Sequence, residues 1–395
     1  MRDDVLSLKQ SLVEYEIASG WVSIRRTPAL AGGAREEQGR GYSTTSPRND
    51  MAYCILGDMQ PTFVIAGKLS REYILPASSP PLLDSPGGSL LYAAGGLSVW
   101  GDANAGLLGR VGEDYPRQWV RDLEQRGFDT RGIRTLRELQ NVDLRTFVSF
   151  SDSNERSYSN AVSHFARRQL AFPKSLLGYQ PPDDSRKDLR EPELISPAAV
   201  DTPKEYRDVR YVHLCPFDFV SQSQMVNLFR GGSSQTVSLD PAPGYMTPRF
   251  WRDLRLVLQG VTIFQPSEEE LRTLFWGETN DLWEMARRVS EYGPQIIVIK
   301  RGLLGQLLYD VAGNHRYEIP AYHSRLADPT GAGDAFCGGF LAGFQKTNDP
   351  LMAALYGSVS ASLKIEGSGP FYALGVMPGL ANARLHSLKE TAREV

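Results

Sequence analysis

The chain has 395 residues, of which 41% are hydrophobic and 23% charged, and its formal net charge at pH 7 is −3. This composition is that of a globular protein of one or two domains, without the basic excess of a nucleic-acid-binding protein. Its apolar runs are too short to cross a bilayer and its first residues are acidic, so we expect a cytoplasmic protein with no membrane partner. Three cysteines and five histidines are too scattered to indicate a disulfide framework or a metal cluster.

Residues 1–58 are predicted to be an N-terminal extension of mixed character. Apolar residues between positions 3 and 18 have loose helical spacing, whereas residues 32–50 are rich in Gly, Arg, Ser and Thr, which predicts disorder or a linker. A transit peptide is the alternative, but the acidic residues of the extension argue against it. We therefore expect the folded domain to occupy residues 59–395.

The first half of this domain contains short apolar segments separated by glycine turns. In chain order these are a buried strand at 62–67, a turn at Gly87 and Gly88 leading into a helix at 89–99, a strand at 105–111, a helix at 116–126 and a hairpin formed by 144–151 and 156–159. Residues 163–206 are rich in proline and charge and predict a long inserted loop.

The second half shows the clearest architectural pattern. Four short apolar runs, at 211–214, 236–239, 261–264 and 296–299, are separated by segments long enough to form helices. This alternation predicts an α/β fold with a central, mostly parallel sheet and helices on both faces. In such sheets ligands bind beyond the carboxyl ends of the strands, and each candidate motif below follows a strand end.

The most informative stretch is Asp-Pro-Thr-Gly-Ala-Gly-Asp-Ala-Phe at residues 328–336. Apolar residues recur at helical spacing after it, so a helix should begin here with its free N–H groups directed at the Gly-Ala-Gly segment, a geometry that binds phosphate. Asp334 would lie beside this anion site, where a carboxylate can act as a general base. The alternative is that Asp334 only caps the helix and the glycines only form a tight turn.

This stretch resembles, without a mismatch, the C-terminal signature of the PfkB or ribokinase-like family of sugar and nucleoside kinases. The resemblance spans residues 62–370 and implies a ribokinase-like fold with a small β lid from strands around 70–84 and 143–160. It implies phosphoryl transfer from ATP, with Mg²⁺, to a hydroxyl group. Asp334 would accept the hydroxyl proton, and the amides of Gly331, Ala332 and Gly333 would stabilise charge on the moving phosphoryl group.

The resemblance also implies a substrate site in the first half of the domain. Ser70 and Glu72 stand where the family has an Asn-x-Asp segment whose aspartate holds substrate hydroxyls, and Gly87 and Gly88 match glycines that contact substrate. Tyr92 replaces an asparagine near the substrate, which changes the size and hydrogen bonding of the pocket and indicates an unusual substrate. The alternatives are that Glu72 is a solvated loop residue and that the glycines only form the turn.

A metal-positioning segment is implied after the strand at 261–264. Glu270 matches the glutamate of the family's Asn-x-x-Glu motif, which helps to position magnesium and phosphate, while Ser267 replaces its asparagine. Serine lacks the amide donors, so Glu268 or Glu269 would have to compensate. The alternative is that these carboxylates only complement the helix dipole.

The nucleotide side is implied by the segment after the strand at 296–299. Lys300, Gly302 and Gly305 resemble the family's turn beside the nucleotide, with Lys300 supplying positive charge, and a solvated surface lysine is the alternative. Thr330 is placed among the cofactor-binding residues, and it lies with Asp328 at a site for a monovalent cation such as K⁺.

The sequence therefore predicts an ATP-dependent kinase acting on a sugar or a related small molecule. A nucleoside kinase is the nearest alternative, because Tyr92 could stack on a base. A non-catalytic ligand-binding or regulatory protein on the same fold is another, motivated by Ser267 and Tyr92. A nicotinamide-dependent dehydrogenase is disfavoured, because the first strand is not followed by the Gly-x-Gly-x-x-Gly fingerprint. Family members often pair through lid strands, which leaves a homodimer open.

Overall fold

The structure is a computed structural model that describes residues 60–101, 104–138, 142–151, 155–181 and 190–395. The predictions made for residues 1–58 therefore lie outside the described residues. Within the described ranges, none of the helices has both the length and the apolar character needed to cross a membrane.

The described elements are numbered here in chain order. The strands are β1 Phe63–Ala66, β2 Ser70–Leu75, β3 Leu82–Gly87, β4 Ala105–Val111, β5 Asp129–Thr135, β6 Arg145–Phe150, β7 Arg156–Ser157, β8 Tyr211–Leu214, β9 Thr236–Leu239, β10 Ile263–Phe264, β11 Ile296–Lys300, β12 Gln306–Asp310, β13 His315–Ile319 and β14 Arg393–Glu394. The α-helices are α1 Ser89–Ser98, α2 Arg117–Gln125, α3 Ala161–Arg167, α4 Phe219–Arg230, α5 Leu254–Leu258, α6 Glu268–Leu274, α7 Leu282–Ser290, α8 Ala332–Thr347, α9 Pro350–Lys364 and α10 Leu380–Lys389.

Ten of the described strands form one sheet in the order β14-β13-β12-β11-β10-β9-β8-β1-β4-β5. The strands from β5 through to β11 are parallel to their neighbours, and β12, β13 and β14 continue the sheet in antiparallel fashion. Successive residues of β1 pack in different apolar clusters, since Val64 belongs to one and Ile65 to another. The sheet is therefore covered on both faces, as parallel sheets usually are, and the predicted α/β fold is confirmed.

The four apolar runs predicted as strands all lie in this sheet. Residues 211–214 and 236–239 form strands with the predicted bounds, and the fourth run extends by one residue to Lys300. The third run is shorter than predicted, because Val261 closes a turn by donating its N–H to the Leu258 carbonyl and leaves only Ile263–Phe264 as strand.

A second, four-stranded sheet has the order β3-β2-β6-β7 and is called the small sheet below. Its strands fall in the two regions predicted to form the lid. Phe147 on this sheet packs against Phe165 and Leu176, which belong to the segment 163–206 predicted as an inserted loop. The described part of this segment contains the end of α3 and short 3₁₀ turns, and it covers one side of the small sheet.

Helices α1 and α8 approach each other unusually closely. A Cβ atom on Gly338 would lie 1.8 Å from the Ala93 carbonyl oxygen, and one on Gly96 would lie 2.0 Å from the Ala335 carbonyl oxygen. Only glycine permits this backbone contact. The contact brings Tyr92 of α1 beneath the first turn of α8.

Candidate active site

The segment at residues 331–333, called the glycine loop below, forms the start of α8. Gly331 is the N-cap residue with φ 70°, a left-handed conformation that favours glycine, and a Cβ atom there would lie 2.1 Å from the Tyr92 ring. The loop therefore rests directly on Tyr92. The helix begins at Ala332, three residues before the first apolar position used to predict it, so Asp334 lies in its first turn and is not its N-cap.

The Asp334 carboxylate is partly buried and lines an open cavity of about 680 Å³, called the Asp334 cavity below. Desolvation raises the pKa of Asp334 to about 6; Lys300 opposes this shift, while Glu72 and Glu270 add to it. A carboxylate with a pKa near neutrality is well suited to accept a proton from an alcohol.

The backbone amides of the glycine loop are not equivalent. The Ala332 N–H donates to the Pro329 carbonyl over 3.2 Å, so this amide already has a partner. Within the part of the chain that the structure describes, the Gly331 and Gly333 amides have no protein acceptor. Free N–H groups at a helix start bind anions, and Gly333 is the better placed of the two because it borders two cavities.

The second of these cavities, of about 610 Å³, is called the Phe336 cavity below. It combines apolar walls with a few polar groups, and its lining includes Leu303, Leu326, Phe336, Ala361, Ile365, Gln306, Ser358 and Ser362. Gly302 and Gly305, which the sequence places beside a nucleotide, also line this cavity, and their contact with a nucleotide stays a prediction. Both cavities are bordered by Lys300 and Gly333, whereas Asp334 borders only the Asp334 cavity. The glycine loop thus lies between two adjoining spaces.

Lys300 reaches this junction from the end of β11. Its ammonium makes a short ion pair with Asp240 and lies 3.7 Å from the Cys337 sulfur. Burial lowers the pKa of Lys300, but Asp240, Cys337 and Glu270 more than offset that effect, so the net shift is upward. The lysine is therefore a fixed positive charge between the cavities and not a solvated surface residue.

Ser267 and Glu270 form a capping box at the start of α6. The Ser267 hydroxyl accepts the Glu270 N–H at 3.2 Å, and Glu270 Oε2 accepts the Ser267 N–H at 2.6 Å. Desolvation and the nearby Asp240 raise the pKa of Glu270. Ser267, Glu269 and Glu270 all border the Asp334 cavity, whereas Glu268 is engaged by Arg272 and Arg301.

The predicted substrate residues of the first half form a closed cluster behind the glycine loop. Glu72 is buried, and its carboxylate accepts hydrogen bonds from the Tyr92 hydroxyl at 2.7 Å, from the Gly88 N–H at 2.9 Å and from the Ser70 hydroxyl at 3.4 Å. A Cβ atom on Gly87 would lie 1.9 Å from the Glu72 carboxyl carbon. These residues contact one another and are not among those lining the Asp334 cavity. Contact between them and a substrate stays a prediction.

Asp328 and Thr330 occupy the backbone turn that leads into the glycine loop. Asp328 Oδ1 accepts the Thr330 N–H at 2.9 Å, and Thr330 borders the Asp334 cavity, not the Phe336 cavity. The Lys364 ammonium, at the end of α9, lies 2.9 Å from the Asp328 carbonyl oxygen and 3.7 Å from Asp328 Oδ2. A positive charge of the protein itself therefore stands at the predicted cation site.

Several residues of the cavity were missed from the sequence. Val148, Phe150, Arg156 and Tyr158 of the small sheet and its edge line the Asp334 cavity, and Asp240 borders it beside Lys300. Asp240 follows β9 directly, and a carboxylate immediately after a buried strand is a signal that could have found it.

Comparison with known proteins supports the kinase class that the sequence predicts. A family model described as pfkB family carbohydrate kinase matches residues 230–374. A cytidine kinase of Thermococcus kodakarensis is 26% identical over 66% of this chain and 81% of its own length, and a fructokinase of Salmonella typhimurium is 25% identical over 70% and 82%. A solved nucleoside kinase of Methanocaldococcus jannaschii superposes with a TM-score of 0.57 at 18% identity, covering 83% of this chain and 99% of that one.

The fold is also shared with a putative ribokinase II of E. coli, solved in complex with ATP and Mg²⁺, at a TM-score of 0.60 and 20% identity over 83% of this chain and all of that one. Fold, signature and family match define the class: a ribokinase-like α/β kinase. The resemblance to the PfkB or ribokinase-like family of sugar and nucleoside kinases, predicted from the signature, is confirmed. The enzyme class predicted from the sequence, a PfkB-type carbohydrate kinase, is confirmed.

Proposed function

We propose that this protein transfers the γ-phosphoryl group of ATP to a hydroxyl group of a sugar or nucleoside bound in the Asp334 cavity. The observation that carries the proposal is the arrangement of the two cavities, which adjoin at Gly333 and Lys300 while Asp334 faces only one of them. A nucleotide in the Phe336 cavity would present its terminal phosphate at the glycine loop. The acceptor hydroxyl would approach from the opposite side, beside Asp334.

The chemistry follows from this placement. As the acceptor oxygen attacks the γ-phosphorus, its proton passes to the Asp334 carboxylate, and the bond from phosphorus to the bridging oxygen breaks to release ADP. Charge on the phosphoryl oxygens is stabilised by the Gly333 amide and the Lys300 ammonium. Phosphoryl transfer requires mainly positioning and charge stabilisation from a protein, and the junction of the cavities provides both.

Magnesium fits this site as a partner of the phosphates and not as a resident ion. Among the described residues, no group of three or more His, Cys, Asp or Glu side chains is arranged to hold a metal. The capping box uses Glu270 Oε2, and Glu270 and Glu269 border the cavity, so these two carboxylates would hold the ion or its waters. When bound with ATP, Mg²⁺ would neutralise part of the phosphate charge.

The aromatic side of the Asp334 cavity favours a nucleoside over a free sugar as the acceptor. Tyr158, which is 49% exposed, and Phe150 line it together with Arg156. A flat base stacks well on an aromatic ring, with about 1–3 kcal/mol per base in other proteins, whereas a sugar ring can pack only its C–H groups there and has no aromatic face. The similarity to a cytidine kinase supports the same choice.

The test is ADP release from magnesium ATP over a panel of nucleosides and sugars, with Asp334→Asn beside the parent. Asp208→Asn is the matched control, because Asp208 is exposed and precedes β8, away from the carboxyl ends of the strands. We expect acceptor-dependent release that is lost in Asp334→Asn and retained in the control. Turnover that persists in Asp334→Asn would contradict the assigned base.

The acceptor class is tested separately with Tyr158→Ala. We expect this change to raise the KM for nucleosides about tenfold, the effect of losing one stacking partner, and to leave the KM of any sugar acceptor unchanged. Tyr372→Ala removes another tyrosine of similar exposure, 43%, and serves as the control. Equal effects of Tyr158→Ala on sugars and nucleosides would remove the argument for a nucleoside.

A further inference from the structure

The ion pair between Lys364 and Asp328 is buried under the glycine loop. Lys364 is 1% exposed and Asp328 is fully buried. The Lys364 ammonium lies 2.9 Å from the Asp328 carbonyl oxygen, 3.7 Å from Asp328 Oδ2 and 5.2 Å from the centre of the Tyr92 ring. A buried lysine is rare unless its charge is paired. Here a carboxylate, a carbonyl group and an aromatic face surround it.

This place is the one at which the sequence predicts a monovalent cation, and the residues present do not fit that ion. Potassium sites in proteins are formed by several oxygen atoms that replace the water around the ion. Two of the oxygens available here, the Asp328 carbonyl and Oδ2, already face the Lys364 ammonium. A second positive charge at this position would be repelled by the first in a poorly solvated environment.

We propose that the Lys364 ammonium permanently replaces the monovalent cation of this site and makes the enzyme independent of K⁺. The proposal concerns the same site as the proposed kinase activity and rests on it for the effect on turnover. An ammonium group has the charge of K⁺ and a similar size. Burial lowers the pKa of Lys364, and Asp328 and Glu72, which favour its charged form, offset that effect only in part. Lys364 acts as a positioning residue, since it touches no part of the two cavities.

The structure connects this ammonium to the glycine loop by short links. The N–H groups of Ala327 and Asp328 both donate to the carbonyl of Ile365, the residue after Lys364, at 2.8 and 3.0 Å. Asp328 Oδ1 then accepts the Thr330 N–H. The end of α9 thereby fixes the turn that precedes Gly331.

Tyr92 provides the second link. Its ring is near the Lys364 ammonium and lies against the Gly331 backbone, and its hydroxyl is fixed by Glu72. Loss of the Lys364 charge would therefore loosen the floor of the glycine loop as well as the turn before it.

The experiment compares the parent with Lys364→Met in KCl, NH₄Cl and tetramethylammonium chloride at equal ionic strength. Two quantities are measured, the melting temperature without substrates and kcat with the acceptor found above. For the parent we expect both to be the same in all three salts. For Lys364→Met we expect a lower melting temperature and at least tenfold lower kcat in tetramethylammonium, with both partly restored by K⁺ or NH₄⁺ occupying the vacated position.

Lys346→Met removes an exposed lysine from the last turn of α8 and is the matched control, with no expected salt specificity. The proposal would be overturned if the kcat of the parent were several-fold higher in KCl than in tetramethylammonium chloride, or if its melting temperature were several degrees higher. This comparison requires no variant. A folded Lys364→Met that responds equally to all three salts would also overturn it. The melting temperatures do not depend on turnover. If the protein proves not to be a kinase, they still test whether Lys364 replaces K⁺, so the two failures can be told apart.

Discussion

The Tyr92 hydroxyl donates a 2.7 Å hydrogen bond to Glu72 Oε2, and both side chains are buried behind the glycine loop. Tyr92 belongs to α1 and Glu72 to β2 of the small sheet, so this bond joins helix α1 to the small sheet next to Gly331. The residue that departs most clearly from the family pattern therefore supports the loop in this structure. A structural role for Tyr92 predicts an effect of substitution on stability, whereas a substrate-binding role predicts an effect on the KM for the acceptor.

We expect Tyr92→Phe to lower the free energy of unfolding by about 1–3 kcal/mol, because the buried Glu72 carboxylate loses a hydrogen-bond donor. The KM for the acceptor should change less than twofold. Denaturant unfolding and steady-state kinetics measure the two quantities, and Tyr372→Phe, at a half-exposed tyrosine, is the control. A large rise in KM with unchanged stability would instead show that the hydroxyl contacts substrate.

The pH dependence of turnover should report Asp334. Desolvation raises the pKa of this carboxyl to about 6, and only the deprotonated form can accept the acceptor's proton. We therefore expect kcat/KM to fall about tenfold for each pH unit below about 6 and to be level above it. Asp334→Asn should lower kcat by a factor of about 10²–10⁴ and abolish this fall of kcat/KM at low pH. If kcat/KM of the variant still falls below about pH 6, the titrating group is another one, for which Glu270 is the first candidate.

The same carboxyl predicts a gain of stability on its removal. Because the pKa of Asp334 is raised from 3.8 to about 6, the charged form destabilises the folded protein above pH 6. Asp334→Asn should then increase the free energy of unfolding by about 1–3 kcal/mol at pH 8, allowing for the partial exposure of the group. The gain should shrink as the pH falls through about 6 and vanish below about 4, where the acid is protonated in both states. Urea unfolding at pH 8 and pH 4 measures it, and an equal gain at both pH values would show another cause.

The sequence predicted those parts of the site that are formed by residues close together in the chain, and it missed contacts between residues that are far apart in the chain. The glycine loop and Asp334 form a local motif, and the strands that precede Asp240 and Lys300 were visible as short apolar runs. The Tyr92–Glu72 bond joins α1 to β2 over 20 positions, and the contact of Lys364 with Asp328 joins residues 36 positions apart. Periodicity within one segment carries no information about such pairings. The sequence pattern also predicted the hairpin that contains Phe150 and Tyr158, but it did not show that these side chains line the Asp334 cavity.

Ser267 provides a test of whether the departure from asparagine affects the metal. The structure uses Ser267 as the N-cap of α6, and we expect Ser267→Ala to cost about 1 kcal/mol of stability. The Mg²⁺ concentration for half-maximal activity should stay within about twofold of the parent value. Asp281→Ala removes the N-cap of α7, which caps two N–H groups outside the lining of the Asp334 cavity, and is the matched control for stability. A much higher Mg²⁺ requirement in Ser267→Ala alone would place the hydroxyl in metal binding.

The Lys300–Asp240 pair can be separated into its structural and catalytic parts by a double-mutant cycle. Only 15% of the Lys300 side chain and 5% of the Asp240 side chain are exposed, so Lys300→Met alone leaves a buried carboxylate unpaired and should cost about 3–5 kcal/mol of stability. Adding Asp240→Asn removes that charge and should restore at least half of the loss.

Turnover should respond differently from stability. If Lys300 stabilises charge on the phosphoryl group, kcat stays low in the double variant although its stability recovers, because no other described residue that lines both cavities is positively charged. Unfolding free energies and kcat of the four proteins at one pH complete the cycle. Recovery of kcat together with stability would limit Lys300 to a structural role and leave the Gly333 amide as the protein group at the phosphoryl oxygens.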